Sequence, residues 1–210
     1  MAEEWLGWHW IAEDRGMSHC KGRPVIEVGK VYTVRGALEI CRNGLHACRS
    51  ALDALAYAPG PVICRVRLSG EILEPEGSDK ACARRREVLW IADATRTLRL
   101  FGCDCAERAL MRELEAGRQT DRRSWSAIAT ARRFGDGRAT PEELDSARAA
   151  AWDSAWDAAR AASGAAWAAA WDAAGAAAWD AAGAAERQWQ SERLDGLLLA
   201  LGEGDAARAR

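Results

Sequence analysis

The stretch that decides the fold is residues 41–70, CRNGLHACRSALDALAYAPGPVICRVRLSG. Asn43-Gly44 is typical of a turn, and this turn leads into the short segment LHAC. Ser50, followed three residues later by Asp53, has the pattern of a helix start, so we expect a short helix that reaches Tyr57.

Pro59-Gly60-Pro61 ends that predicted helix. Residues 62–68 then alternate, with Cys64, Val66 and Leu68 on one face and arginines between them. This alternation is typical of a half-buried strand. Residues 41–70 therefore predict a strand, a helix and a second strand.

Further extended segments surround this unit. WLGWHWIA near the N-terminus has apolar residues on both faces, and residues 24–28 and 31–34 flank a Gly29-Lys30 turn. Residues 71–79 form an acidic loop, and residues 87–92 have a strand pattern. We expect an α+β fold, in which a small mixed sheet with one short helix occupies residues 1–102.

The rest of the chain is predicted to be helical. Residues 106–117 and 124–134 have apolar residues at helical spacing and form a basic helical segment over residues 103–139. Thr140, Pro141 and Glu143 make a strong helix start. Residues 140–210 are therefore predicted to form a long alanine- and tryptophan-rich helix, followed by a short apolar helix at 194–201.

A stripe of tryptophans distinguishes this last segment. AWDAAGAA occurs twice in succession within residues 170–185. The pair Trp152/Trp156 recurs 15 residues later as Trp167/Trp171. Indoles are common interface anchors, so we expect a protein partner or self-association, giving a homo-oligomer. The interpretation in which the stripe covers only its own chain stays open. The candidate interaction residues are Trp152, Trp156, Trp167, Trp171 and Trp179.

The composition limits the functional classes. The formal net charge is −2, which argues against a general polyanion-binding protein. No apolar run is long enough to span a membrane, and the N-terminus MAEEW lacks the bases of a signal peptide. We expect a cytoplasmic protein whose seven cysteines are mainly reduced.

Sulfur and imidazole ligands suggest one candidate site. Cys41, His46 and Cys48 lie close in sequence, and Cys20 could complete a tetrahedral set for zinc. The alternative is a hydrogen-bonded histidine among inert buried thiols. Cys103-x-Cys105 suggests a weaker redox site at a helix N-terminus, with ordinary packing as its alternative.

The order of elements resembles ADP-ribosyltransferase-like folds. The resemblance rests on a first strand with His9, a G-x-H strand with His46, and a later strand that begins at Glu87. It implies that His9 orients the NAD ribose, that His46 takes the position of the aromatic residue that stacks on nicotinamide, and that Glu87 polarises the ribose hydroxyl. The alternative for Glu87 is a strand-edge carboxylate neutralised by the arginines at 84–86.

A second resemblance is closer. The N-terminal part of the chain resembles an uncharacterised domain family of bacteriophages, prophages and actinobacterial genomes. The resemblance is carried by Cys20-Lys21-Gly22, the segment VGKVY at 28–32, the core C-x-x-G-x-H-x-C at 41–48 and Asp79-Lys80. Members of that family typically carry a low-complexity repetitive tail. The resemblance covers residues 5–92 and implies no particular activity.

A nucleic-acid interface is the third candidate. Eight arginines between residues 108 and 138, with Trp125 among them, make the middle segment locally basic. Neighbouring carboxylates offset part of that charge, so a solvated helix face is the preferred interpretation and nucleic acid is not an expected partner.

These observations favour a non-enzymatic, phage-type interaction protein. Its α+β part would recognise a ligand, and its helical tail would self-associate or dock. The alternative is an ADP-ribosyltransferase-like enzyme or a nucleotide-signal binder, which requires His9, His46 and Glu87 to converge in one cavity. No cofactor is expected for the first hypothesis, whereas the alternatives would use NAD or zinc.

Overall fold

The computed structural model describes residues 5–17, 22, 24–162 and 175–208, with side chains described up to residue 151 and again over 183–204. The chain divides into two compact units. The head unit comprises residues 1–95 and 190–210, and the helical unit comprises residues 96–189. The predicted boundary lay at residue 102, and residues 190–210, which were predicted to be part of the tail, belong to the head unit.

The head unit is built on a five-stranded antiparallel sheet. The strands run in the order β1-β4-β5-β2, and β3 pairs with β5 off this path. Their bounds are β1, Trp5–Ile11; β2, Val31–Thr33; β3, Leu45–Ala47; β4, Val62–Leu73; and β5, Ala81–Asp93. The short helix α1, Ala51–Leu55, lies between β3 and β4. The α+β fold predicted from the sequence is confirmed.

The strand-helix-strand prediction for residues 41–70 is also confirmed, with a shorter helix. Ser50 is the N-cap of α1, and its hydroxyl accepts hydrogen bonds from the amides of Leu52 and Asp53. A backbone bridge between Trp8 and Cys48, with N···O distances of 2.8 and 3.0 Å, joins the end of β3 to β1. This bridge brings the turn before β3 next to the first strand.

Both long strands extend beyond the predicted segments. β4 continues to Leu73, into the predicted acidic loop, and β5 begins at Ala81 rather than Glu87. The added part of β5 starts with Ala81, Cys82 and Ala83, whose side chains are completely buried. Such small residues lack the bulky alternation that marks a strand in a sequence.

The helical unit contains α2, Thr95–Glu115; α3, Arg122–Gly135; α4, Pro141–Ala162; and the first part of α5, Gly175–Arg208. The predicted start of α4 is confirmed, because the Thr140 amide donates to the Glu143 carboxylate and the Glu143 amide donates to the Thr140 hydroxyl. In the part of the chain that the structure describes, no helix combines the length and apolar character needed to cross a membrane.

The end of α5 is part of the head unit. Leu194 and Leu198, one helical turn apart, are completely buried. On the same helix face the Ser191 hydroxyl lies 2.7 Å from the Ser50 hydroxyl, and the Asp195 carboxylate accepts from the Ala51 amide at 2.8 Å. The apolar helix predicted at 194–201 is thus the end of one longer helix that packs on the sheet domain.

Candidate functional site

The turn before β3 is held by several defined contacts. Its backbone is held by Asn43, whose side-chain amide donates to the carbonyls of Arg35 and Ala37 at 2.9 and 2.7 Å. Gly44 has a φ of 157°, and a Cβ there would lie 2.7 Å from the Cβ of Cys82. Glycine is therefore required at this position for the turn to approach β5.

His46 stabilises the same turn. Its Nε2 accepts a hydrogen bond from the Cys41 amide at 3.0 Å, and the ring also bonds the backbone of Gly44. Partial burial, followed by the charges of Lys80 and Arg86, lowers the pKa of His46. The imidazole is therefore mainly neutral at pH 7 and is hydrogen-bonded to the backbone.

A cavity of about 480 Å³ lies beside this turn. Its walls come from β1, from residues 41–48, from α1 and the residues after it, and from β5. His9 and His46 both line it, so the structure brings together two of the three residues proposed for an NAD site. Burial first, and then the charges of Arg86 and His46, lowers the pKa of His9 well below its usual value.

Glu87 does not belong to this cavity. His9 lies opposite Cys64, and Glu87 lies opposite Arg67, in the β1-β4-β5 register. Cys64 and Arg67 are three positions apart in β4, and residues an odd number apart point to opposite faces of a sheet. Glu87 therefore lies on the other face from His9, where it forms an ion pair with Arg67 at 2.5 Å. The three-residue NAD arrangement is not formed.

Three of the candidate metal ligands, Cys41, His46 and Cys48, line the cavity. Cys41 is exposed, whereas Cys48 is buried and burial raises the pKa of its thiol to about 12. Among the described residues, no group of three histidine, cysteine or acidic side chains is placed to hold a metal ion. Cys20, the fourth candidate ligand, lies outside the described residues.

The Cys103-x-Cys105 pair lies inside α2, which begins at Thr95, so the predicted position at a helix N-terminus was wrong. Burial raises the pKa of both thiols, which disfavours the reactive thiolate. The ordinary-packing alternative fits these two cysteines better.

The basic segment forms ion pairs with acidic side chains of the helical unit. Arg108 and Arg112 both contact Glu186, at 2.9 and 3.1 Å, and Arg132 contacts Asp104 at 2.9 Å. Other arginines of the segment are paired in the same way: Arg118, Arg123, Arg133 and Arg138. These contacts favour a structural role for the arginines over contact with nucleic acid.

Trp167 and Trp171 lie outside the described residues, and the side chains of Trp152, Trp156 and Trp179 lie outside the described side chains.

Two cationic side chains were not identified from the sequence as part of the site. Lys80 and Arg86 both line the cavity, although they are distant in sequence from residues 41–48. Arg86 could have been found by its register: it lies two residues before Val88 in β5, and Val88 is buried in the core. The alternation that turns Val88 inward also turns Arg86 inward.

Comparison with known protein families gives a match to part of the chain. A family model described as a domain of unknown function, DUF7666, matches residues 12–99. The similarity begins after β1 and ends in α2, so it includes the turn at 41–48, Lys80 and Arg86 but not His9. No curated protein and no solved structure matches the sequence.

Proposed function

We propose that the chain is a non-enzymatic interaction protein whose head unit binds a small ligand in the cavity beside residues 41–48. The observation that carries this proposal is the cavity itself: its volume of about 480 Å³ suits a small molecule. The wall formed by the turn is fixed before any ligand arrives, because Asn43, Gly44 and His46 each have a defined backbone contact. Such preorganisation favours binding, since little has to be ordered on association.

The groups around the cavity favour recognition over covalent chemistry. The pKa of the Cys48 thiol, raised to about 12, makes it a weak nucleophile at neutral pH. The His46 ring is engaged with backbone groups, and Glu87 is on the opposite face of the sheet. The transferase alternative therefore lacks its glutamate at the cavity. Binding of a nucleotide-like ligand does not require that glutamate and remains compatible with the cavity.

A fragment screen of the full chain, observed through backbone amide chemical shifts, tests the head proposal. We expect bound fragments to shift the amides of residues 41–48 and of Lys80. A Tyr57→Ala variant should weaken those fragments, because Tyr57 lines the cavity. Val28→Ala is the matched control, since Val28 is 58% exposed and is not a lining residue. A screen in which no fragment shifts residues 41–48 would overturn the proposal.

For the tail, we propose self-association or docking through the tryptophans of residues 152–179. The support is the repeated tryptophan pair in the sequence, together with the packing of the α5 end on the head unit. That packing occupies residues 190–204, so the stripe before them is the part proposed to meet a partner. Light scattering after size exclusion should give a lower mass for Trp167→Ala/Trp171→Ala than for the unmodified chain. Equal masses would contradict self-association through these residues.

A further inference from the structure

The cavity is lined by cationic side chains. Arg42, Lys80 and Arg86 belong to its walls, and none of the described side chains that line it is acidic. Arg42 is largely exposed and forms an ion pair with Glu39 at 3.1 Å, so its charge is offset outside the cavity. Lys80 and Arg86 are therefore the two cations that set the charge of the cavity.

Arg86 is the buried cation of the cavity. Its side chain is only 3% exposed, and Nη1 donates to the His46 carbonyl oxygen at 2.8 Å. Cys48, which also lines the cavity, is buried as well. A guanidinium in this position places positive charge where screening by water is weak. Both neighbouring imidazoles respond to it, since the Arg86 charge contributes to the lowered pKa of His9 and of His46.

Lys80 lies nearer the opening, beside residues that are exposed. Its Nζ lies 3.9 Å from the centroid of the Tyr57 ring, and Tyr57 is 51% exposed. Burial lowers the pKa of Lys80, but hydrogen bonds to Cys41 and Tyr57 outweigh burial and raise it. Lys80 is therefore charged at neutral pH.

Two acidic side chains lie near the opening, and neither is a lining residue of the cavity. Asp79 accepts a hydrogen bond from the Tyr57 hydroxyl at 2.7 Å. Asp53, on α1, is a second nearby carboxylate. After burial, the charge of Asp79 and then that of Asp53 contribute to the raised pKa of Cys48, while Lys80 opposes them. Neither belongs to the cavity walls, so the space between Lys80 and Arg86 stays electropositive.

From this arrangement we infer that the ligand of the head unit is a small organic anion, whose carboxylate or phosphate group is bound by Lys80 and Arg86. This inference rests on the proposed binding function and adds the chemical class of the ligand. Carboxylates and phosphates share the required chemistry, because both accept charge-assisted hydrogen bonds from ammonium and guanidinium groups. The organic part would contact the apolar lining of Met17, Leu45 and Pro59.

Three matched probes test the charge requirement with the full chain: phenyl phosphate, benzoate and benzyl alcohol. We expect at least one anion to shift the amides of residues 41–48, with benzyl alcohol at least about tenfold weaker. The tighter of the two anions identifies the charged group. Added sodium chloride should weaken the anions and leave benzyl alcohol unchanged.

Lysine variants provide the matched control. Lys80→Met should weaken the bound anion by about tenfold or more, and Lys80→Arg should retain most of the affinity because it keeps the charge. Lys30→Met should have no effect, since Lys30 pairs with Glu27 on the surface and does not line the cavity. Arg86 is less suitable for this test, because its bond to the His46 carbonyl also supports the turn.

The outcomes separate the two proposals. Three results would overturn the inference about charge. They are binding of benzyl alcohol as tight as that of both anions, no binding of phenyl phosphate or of benzoate, and an unchanged anion affinity in Lys80→Met. The binding function would still stand if neutral fragments shifted residues 41–48. It would fail only if no fragment of either kind did so.

Discussion

Gly44 determines how closely the turn at residues 41–48 approaches β5. A methyl group at this position would meet the Cys82 side chain at 2.7–2.8 Å, and the φ of 157° disfavours any other residue. We expect Gly44→Ala to lower the free energy of unfolding by about 1–3 kcal/mol, since overpacking and backbone strain add. Urea denaturation measures this change.

Gly102→Ala is the control for that substitution. Gly102 lies inside α2, where an added methyl group would have, beyond the backbone of its own helix, no described atom within 4 Å. Alanine is favoured over glycine in a helix by about 1 kcal/mol, so this variant should be neutral or more stable. Equal destabilisation by both variants would contradict the close approach at Gly44.

His9 makes the stability of the head unit depend on pH. Its folded-state pKa lies well below the usual value of 6.5, because it is buried and faces the charges of Arg86 and His46. Between these two pKa values the unfolded chain binds the proton and the folded chain does not, so stability is lost as the pH falls below 6.5. We expect urea denaturation to show a loss of stability from pH 7.5 to pH 5.5. The loss should be smaller in His9→Gln, and an equal loss in both proteins would contradict this assignment.

At the scale of single elements, α1 is the helix that holds one wall of the cavity. The Ser50 hydroxyl caps it and also contacts the Ser191 hydroxyl of α5. We expect Ser50→Ala to lower the free energy of unfolding by about 1–2 kcal/mol, since loss of an N-cap costs about this much.

Ser126→Ala provides the comparison, because Ser126 is exposed within α3 and alanine is a good helix former. Thermal unfolding followed by circular dichroism should show a lower Tm for Ser50→Ala alone. Equal shifts for the two serines would show that the cap contributes nothing.

The elements that could be predicted were those with a local signal. The Ser50 cap and the alternation after Pro61 identified α1 and β4, and Thr140 with Glu143 identified the start of α4. The start of α2 was missed, although the Asp93 carboxylate accepts from the Thr95 amide there. A single carboxylate at the end of a strand is too common in sequences to identify a helix start.

The candidate site was predictable only in part, for a similar reason. The turn with Gly44 and His46 is contiguous in sequence, so it could be recognised. Lys80 and Arg86 reach the cavity through strand pairing, because β3 aligns with the beginning of β5. Register of this kind depends on contacts between distant residues, and no short motif records it.

At the scale of the whole molecule, the head unit depends on both ends of the chain. Leu198 is completely buried, whereas Leu199, the next residue of α5, is 42% exposed. We expect Leu198→Ala to cost about 2–5 kcal/mol of unfolding free energy, which is typical of a buried leucine. Leu199→Ala should remain within about 0.5 kcal/mol of the unmodified chain.

Tryptophan fluorescence during urea denaturation measures both leucine variants. Trp8 and Trp90 report on the head unit, since their rings are 5.7 Å apart and Trp90 lies against Gly202 of α5. Similar losses for the two variants would contradict the packing of this helix face. A fragment that ends at residue 139 would lack the packed face altogether, so its behaviour would not describe an intact head.

The packing of α5 on the head also concerns synthesis of the protein. The strands and α1 lie within the first 100 residues and are synthesised early. Leu194 and Leu198 are synthesised only after the repetitive segment has been translated. A premature stop or a frameshift within the repeats would therefore give a head without its final helix. Such a product would expose apolar surface to chaperones and proteases. Only a chain translated through the repeats acquires a complete head.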